Sequence, residues 1–285
     1  MKNHSKKFSA LFLIFSWCSL LIYQESQASD QDRWISLEPG LDLGIFNSPE
    51  KSEFGDSKIR LLRIDPNNFE FKLLNSSSSK NVQHGSAKYW VTQNNLVAAI
   101  NASMYQRDQK TSVSYMQTQS HVNNRWISKD KSFLVFDPKD KSLPPVQIVD
   151  RECDDFSGLR KKYGTIIQSI RMISCDRKNV WTQRSKKWST AAIGMDAQKN
   201  ILFIHVRSPY STHDLINILL DLPVDLERIM YVEGGAEAQM YIKTEKAQYE
   251  FIGSYSTGSN ENDDNFFAWP IPNVIGIFRA ATVQK

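Results

Sequence analysis

The chain has 285 residues, with 35 Lys and Arg against 31 Asp and Glu, which gives a formal net charge of +4 at pH 7. No Lys/Arg cluster or basic tail accompanies this small excess, so a nucleic-acid partner is not expected. The length is long for one average domain and short for two, and no Pro/Ser/Gly-rich linker divides it, which favours a single domain.

The first 28 residues have the pattern of a secretory signal. Three lysines precede an apolar run from residue 8 to 23, and Ser26-Gln27-Ala28 places small residues one and three positions before a cut. The run contains three serines and is shorter than the ~20 residues of a spanning helix, so cleavage is favoured over an uncleaved membrane anchor. We expect residues 29–285 to be exported, to the periplasm or the medium, without a stable membrane anchor. Loss of three lysines and Glu25 gives a net charge of +4 − 3 + 1 = +2.

The first half of the exported part predicts strands with one helix. Residues 58–74 alternate apolar and polar side chains on both sides of Asp65-Pro66-Asn67-Asn68, which predicts a β-hairpin with its turn at these four residues. Ser86 is placed to cap a helix that ends near Gln93. The short apolar run over 96–102 is typical of a buried strand, and another strand is predicted over 131–136.

The second half continues the same pattern. A short helix is predicted over 154–163, closed by Gly164, and a second over 212–221, capped by Ser211 with Asp214 as its capping-box partner. The predicted strands are 165–173, 190–194, 201–207, 228–233, 249–255 and 273–278. Strands in bulk with a few inserted helices predict an α+β fold, a single domain with a mixed, mostly antiparallel sheet.

Only two cysteines, Cys153 and Cys175, remain once the leader is removed. Disulfides persist outside the cytoplasm, so a Cys153–Cys175 disulfide is predicted, and it would constrain the unfolded chain by roughly 3 kcal/mol. A metal pair or a catalytic thiol is the alternative, but it lacks a CxxC spacing and a neighbouring His.

Polar residues in the predicted buried strands are candidates for a site, since burying one without a partner costs ~1 to 3 kcal/mol. Alternation places His205 and Arg207 on one face of their strand, with Arg207 at its end. Arg171 lies in an isoleucine-rich strand, and Asn101 follows Ile100. A guanidinium matches a phosphate or carboxylate, although a structural ion pair is the alternative for each arginine.

The segment Glu233-Gly234-Gly235 is the sharpest local feature. A carboxylate leaves an apolar strand and meets a double glycine, whose backbone N–H groups can approach an anionic ligand closely. Partial burial would raise the pKa of Glu233 and make it a fair general acid or base. Glu237 would lie on the same side if a helix begins at Gly235, and glycoside hydrolysis usually uses two carboxylates. An ordinary tight turn is the alternative.

Six blocks of the sequence together resemble the phosphodiester glycosidase family, which includes an enzyme that removes N-acetylglucosamine from its phosphodiester on mannose. The blocks are IDP (64–66), AAINASMYQRD (98–108), SVSYM (112–116), QSIRMI (168–173), HVRSPYSTHDL (205–215) and YVEGGAEAQMY (231–241). The resemblance implies an exported hydrolase of the glycosidic bond of a sugar 1-phosphodiester or related glycan.

The resemblance also implies roles for single residues. Asn101, Gln168, Arg171 and Arg207 match family blocks, and Glu233-Gly234-Gly235 matches an Asp-Gly-Gly motif with Glu for Asp. Catalysis is expected from Glu233, Glu237 and Arg207; substrate binding is expected from Asn101, Asp108, Gln168, Arg171, His213, Gly234 and Gly235. Glu237 stands where many relatives have Ser, and its charge would repel a phosphodiester unless it is protonated, paired or held against a metal.

Two other functions stay open at this point. The protein can instead be a carbohydrate-binding envelope protein without turnover, with Tyr105, Tyr115, Trp126 and Tyr210 as aromatic contacts. It can also be a metal-dependent phosphodiesterase in which Glu233, Glu237 and Asp108 bind a divalent ion. The sequence predicts no cofactor with certainty. A divalent metal ion is the cofactor that these residues allow.

Overall fold

The computed structural model describes residues 34–78 and 84–281. The leader predicted over residues 1–28 lies outside the described residues. Within them, no helix is long and apolar enough to cross a membrane.

The described residues form sixteen strands and three α-helices. The strands are β1 (Trp34–Glu38), β2 (Leu41–Asn47), β3 (Lys58–Ile64), β4 (Phe69–Asn75), β5 (Ala98–Asn101), β6 (Met116–Gln117), β7 (Val122–Asn124), β8 (Ser132–Pro138), β9 (Val146–Asp150), β10 (Tyr163–Arg171), β11 (Trp188–Asp196), β12 (Ile201–Tyr210), β13 (Leu226–Gly234), β14 (Gln239–Lys243), β15 (Gln248–Ile252) and β16 (Asn273–Arg279). The helices are α1 (Ala87–Gln93), α2 (Phe156–Leu159) and α3 (Thr212–Asp221).

The strands form two antiparallel sheets. The larger has eleven strands in the order β1-β2-β3-β12-β11-β13-β10-β6-β7, with β8 and β9 branching from β10, and the smaller has the order β15-β14-β5-β16-β4. The prediction of a mostly antiparallel sheet is confirmed. The α+β class is corrected to a more β-rich fold, because the described residues form sixteen strands but only three short α-helices, and antiparallel pairing requires no crossover helix.

The main core lies between the two sheets. One buried cluster contains Phe203 and Met230 from the larger sheet together with Phe71, Ile100 and Ile275 from the smaller. The rings of Phe71 and Phe203 meet edge to face, with 6.3 Å between their centroids. Burial of both inner faces holds the sheets together, as in other sheet packings.

Helix α3 covers the opposite face of the larger sheet. Its Leu215 and Leu219 are buried in a second cluster with Leu202 and Ile204 of β12. Side chains alternate between the two faces of β12, because Phe203 lies in the core between the sheets while its neighbours Leu202 and Ile204 pack in the cluster with the helix.

The predicted hairpin over 58–74 is wrong in its pairing. The turn is present, and Asp65 Oδ1 accepts the backbone N–H of Asn67 at 2.8 Å. However, β3 pairs with β2 and β12, whereas β4 pairs with β16 in the other sheet. Alternation of side chains specifies a strand and its buried face, but the pairing partner depends on the tertiary structure.

The helix predicted over 154–163 is shorter than expected. It begins after Asp155, whose carboxylate accepts the Gly158 N–H at 3.0 Å, and it ends at Leu159. Tyr163 and Gly164 already belong to β10, where Tyr163 is buried opposite Pro138. Pairing with β8 and burial of the Tyr163 ring therefore outweigh the helix-ending preference of Gly164.

The other two helices have their predicted ends and caps. Ser86 accepts the Tyr89 N–H before α1, and Ser211 accepts the Asp214 N–H before α3. The predicted disulfide is also confirmed, with 1.97 Å between the sulfurs of Cys153 and Cys175. It links the segment after β9 to the segment after β10.

Candidate functional site

A β-bulge near the end of β13 sets the position of Glu233. Ala191 of β11 pairs with Glu233 and Ala192 pairs with Tyr231, so Val232 is an extra residue in the ladder. A bulge of this kind changes the direction of the side chains that follow it and is common next to active sites. The Glu233 carboxyl is consequently buried at the end of a strand, with 9% of the residue exposed.

Burial raises the pKa of Glu233 from 4.5 to about 8, and the nearby charge of Glu237 contributes in the same direction. The Gly234 N–H donates to Glu233 Oε1 at 3.0 Å and opposes this shift, but it does not cancel it. Since a carboxyl with a pKa near 8 is mostly protonated at neutral pH, Glu233 is able to donate a proton there.

Each residue of the double glycine that follows disfavours a side chain, Gly234 for lack of space and Gly235 for its backbone conformation. A Cβ on Gly234 would lie 2.1 Å from the Tyr231 hydroxyl and 3.0 Å from Trp188 Cδ1. Gly235 has φ +69°, in the left-handed region that residues with a Cβ rarely adopt, and it begins a short 3₁₀ turn, Gly235–Glu237. This turn places the Glu237 carboxylate beside Gly235, where an added Cβ would lie 3.4 Å from Glu237 Oε2.

The second carboxyl is also shifted. Burial raises the pKa of Glu237, although its own backbone N–H opposes the shift. The charge of Glu237 acts on Glu233, and the two carboxyls occupy different environments, since Glu233 is buried whereas Glu237 is partly exposed. Two carboxyls in different environments are an arrangement that suits acid/base chemistry on a glycosidic bond.

Two tyrosines complete the surroundings of this carboxyl pair. Burial raises the pKa of Tyr105, and the charges of Glu237 and Glu233 raise it further. The pKa of Tyr231 is raised by burial and by the same two carboxyls. Both hydroxyls thus stay protonated and can donate hydrogen bonds. The sequence placed Tyr105 only among aromatic contacts and gave Tyr231 no role. The position of Tyr231, two residues before Glu233, was the signal that could have indicated it.

Asn101 holds the backbone of the turn. Its Nδ2 donates to the Glu237 carbonyl at 2.9 Å, and its Oδ1 accepts the Gln239 N–H at 2.7 Å. The residue is buried, with 1% exposed. Asn101, at the end of β5, therefore holds the Glu237 backbone in place. The two amide atoms of Asn101 that were predicted to contact substrate are hydrogen-bonded to the backbone instead.

Arg207 is close to the same turn but is engaged by a loop. Its Nε lies 2.7 Å from Asp263 Oδ1, and its terminal nitrogens donate to the carbonyls of Ile252, Asp263 and Asn265 at 3.0 to 3.2 Å. The loop packs on the double glycine, since a Cβ on Gly253 would lie 2.0 Å from the Gly235 carbonyl oxygen. In this conformation Arg207 orders the loop beside the carboxyls.

Gln168 is likewise committed to the backbone. It is fully buried, accepts the N–H groups of Tyr115 and Ser128, and donates to the carbonyls of Ser128 and Asp130, at 2.8 to 3.3 Å. All four hydrogen bonds of a primary amide are thereby used. Arg171 is paired with the buried carboxylate of Asp150 at 2.9 Å.

Asp108 and His213 have local partners as well. The exposed Asp108 accepts the N–H groups of Lys110 and Thr111 at 3.0 and 2.9 Å, and its hydrogen bonds with Thr111 lower its pKa. His213 Nδ1 lies 3.5 Å from Asp214 Oδ1 in the first turn of α3. None of the hydrogen bonds or ion pairs within 34–78 and 84–281 joins either residue to Glu233.

A metal site was one expectation for the carboxylates. Across the described part of the chain, the one group of three possible ligands is Asp150, Cys153 and Cys175, and both sulfurs are joined in the disulfide. Glu233, Glu237 and Asp108 do not come together as a ligand group there. The residues predicted for a divalent ion do not fit one in this conformation.

The comparisons with known proteins agree with the sequence blocks. The family model "Phosphodiester glycosidase" matches residues 94–278. The structure is similar to the zebrafish N-acetylglucosamine-1-phosphodiester alpha-N-acetylglucosaminidase catalytic domain auto-inhibited by its pro-peptide, with TM-score 0.61, 10% identity and 86% of each chain covered. It is also similar to a hypothetical protein from Synechocystis, with TM-score 0.57, 11% identity, and 87% of this chain and 63% of that chain covered. None of the curated proteins matches at the level of sequence.

Proposed function

The chain belongs to the phosphodiester glycosidase family, and we propose that it hydrolyses the glycosidic bond of a sugar 1-phosphodiester with Glu233 as the proton donor. The supporting observation is the buried Glu233 carboxyl, whose pKa is raised to about 8 at the start of the Gly234-Gly235 turn. An acid of this kind can protonate the leaving oxygen at neutral pH.

Glu237 is the second carboxyl in the proposal. It is less buried than Glu233, and it serves as the carboxylate that activates water or attacks the anomeric carbon. In the overall reaction, water adds across the bond between the anomeric carbon and the phosphate oxygen. The products are the free sugar and a phosphomonoester.

The charge of the pair fits an anionic substrate better than the sequence alone suggested. Two ionised carboxylates would repel a phosphodiester, but burial keeps Glu233 neutral at pH 7 and so removes its charge from this repulsion. The hydroxyls of Tyr105 and Tyr231, which stay protonated, are assigned to hydrogen bonds with the substrate. Asn101 and Arg207 are assigned to positioning the turn and its loop.

Hydrolysis in ¹⁸O-labelled water tests this assignment. Purified protein is incubated with the methyl phosphodiester of N-acetylglucosamine 1-phosphate, with and without a chelator. The products are analysed by mass spectrometry. Label in the free sugar supports cleavage of the glycosidic bond. Label in the phosphate, with loss of activity in chelator, would instead identify a metal-dependent phosphodiesterase. Binding of the sugar with no product from a panel of sugar 1-phosphodiesters would favour a carbohydrate-binding protein.

Export is part of the proposal. The Cys153–Cys175 disulfide supports it, since such bonds persist outside the cytoplasm. N-terminal sequencing of the exported fraction should begin close to Ser29. An intact leader in that fraction would contradict cleavage near Ala28.

A further inference from the structure

Two open clefts adjoin each other at β6, and none of their lining residues belongs to the Glu233–Glu237 turn. One has a volume of about 720 Å³ and lies against α2; the other has about 670 Å³ and lies against β7 and the end of β8. Gln117 of β6 lines both. We call the two together the double cleft.

The double cleft is lined by five cations. They are Arg151, Arg160 and Lys161 in the first cleft and Arg125 and Lys139 in the second. None of them forms an ion pair with a carboxylate inside the described ranges. The second cleft has no Asp or Glu among its lining residues. Clefts lined by one sign of charge concentrate ions of the opposite sign.

The two carboxylates of the first cleft are bonded to the backbone. Asp154 Oδ2 accepts the Asp150 N–H at 2.8 Å, and Asp155 Oδ1 accepts the Gly158 N–H at 3.0 Å as the cap of α2. They serve the local fold and do not pair with the neighbouring arginines. Their charges offset part of the positive charge of this cleft, but its three cations still outnumber its two carboxylates.

Two of the cations are held in place by further contacts. The Arg160 guanidinium lies 4.7 Å from the centroid of the buried Tyr115 ring, and its Nη2 donates to the Tyr115 hydroxyl at 3.1 Å. Lys139 Nζ donates to the Lys161 carbonyl at 2.8 Å, which links the two clefts. Side chains that are ordered before binding lose less entropy when a ligand arrives.

We propose that the double cleft binds a linear polyanion, such as a glycan chain that carries phosphate or carboxylate groups along its length. A small anion needs only one cleft, whereas the five cations spread over two neighbouring clefts match a polymer with repeated charges. This binding is separate from the Glu233 chemistry and does not depend on the proposed hydrolysis.

Fluorescence-detected binding of labelled inorganic polyphosphate at about 50 mM salt tests the proposal. The triple variant Arg125→Gln, Lys139→Gln, Lys161→Gln changes three exposed side chains and should weaken binding about 10-fold or more.

The control removes three positive charges at the smaller sheet, with Lys72→Gln in β4, Lys243→Gln in β14 and Lys246→Gln in the turn between β14 and β15. These side chains are also exposed and form no ion pair within the described part of the chain. The control should change affinity less than about 2-fold, since distant exposed charges are screened by salt.

Equal weakening by the two triple variants would overturn the proposal, because net charge alone would then explain binding. Undetectable binding of polyphosphate, or equal binding of uncharged dextran, would also overturn it. Displacement of the labelled polyphosphate by polygalacturonate would support charge as the recognised feature. If unlabelled polyphosphate displaces the probe and polygalacturonate does not, the ligand is restricted to phosphate-bearing chains. No outcome depends on turnover, so failure here would leave the proposed hydrolysis untouched.

Discussion

Replacement of Glu233 by Gln separates its catalytic role from its effect on stability. The variant keeps the shape of the protonated carboxyl and its acceptor for the Gly234 N–H, but its amide has no acidic proton to transfer to a leaving oxygen. Removal of a general acid should lower kcat by about 10²- to 10⁴-fold. Full activity in Glu233→Gln would remove Glu233 from the mechanism.

The same variant should be more stable than the wild type at neutral pH. The pKa of Glu233 is raised from 4.5 to about 8 in the folded state. The contribution of Glu233 to stability is therefore fully present below pH 4.5 and is lost as the pH rises toward 8, because the unfolded chain releases the proton first. At pH 7 the pH is 2.5 units above 4.5, the ordinary pKa of Glu, and this corresponds to about 3 kcal/mol of unfolding free energy. The variant Glu233→Gln should regain this free energy.

Urea unfolding at pH 4, 5.5 and 7 measures this effect. The gain in the free energy of unfolding should reach about 3 kcal/mol at pH 7 and shrink to near zero at pH 4. Glu245→Gln, at an exposed position, is the matched control and should change neither stability nor turnover. A gain that is independent of pH, or a loss of stability at pH 7, would refute the conclusion that burial keeps Glu233 protonated.

Three further outcomes follow from the structure. Arg207→Ala should lower both the melting temperature and kcat. Arg207→Lys should not restore them, since an ammonium cannot reproduce the guanidinium contacts to the loop over 252–265. Wild-type values in either variant would contradict the positioning role. Gly235→Ala should cost about 1 to 2 kcal/mol of unfolding free energy and reduce kcat, because φ +69° is unfavourable for Ala, and an unchanged kcat would show that the turn geometry does not matter. Replacing Cys153 and Cys175 together by Ser should lower the free energy of unfolding by about 3 kcal/mol with kcat retained, as checked by urea unfolding and assay; unchanged stability would refute the contribution of the disulfide.

Local signals predicted the elements that local interactions specify. Ser86 and Ser211 mark the beginnings of α1 and α3, because a cap bonds to an N–H only three residues away. The apolar run before Asn101 predicted β5, since nearly continuous apolar side chains have to be buried.

The site was predicted in part. The Glu233-Gly234-Gly235 segment stood out because a carboxylate at the end of an apolar strand meets two glycines in succession. The bulge at Val232 was not visible in the sequence, since it depends on how β13 pairs with β11. The partners of Arg207 were also hidden, because Asp263 and Asn265 are far away along the chain.

The sequence by itself determined the family, the Cys153–Cys175 pair, the caps and the alternating strands, because each depends on residue type or on short spacing. The tertiary structure decided which sheet each strand joins, and it therefore separated β3 from β4. It also decided that Glu233 is held protonated while Gln168, Arg171 and Arg207 are engaged by the fold. These properties come from burial and from contacts between distant residues, which composition and periodicity do not contain.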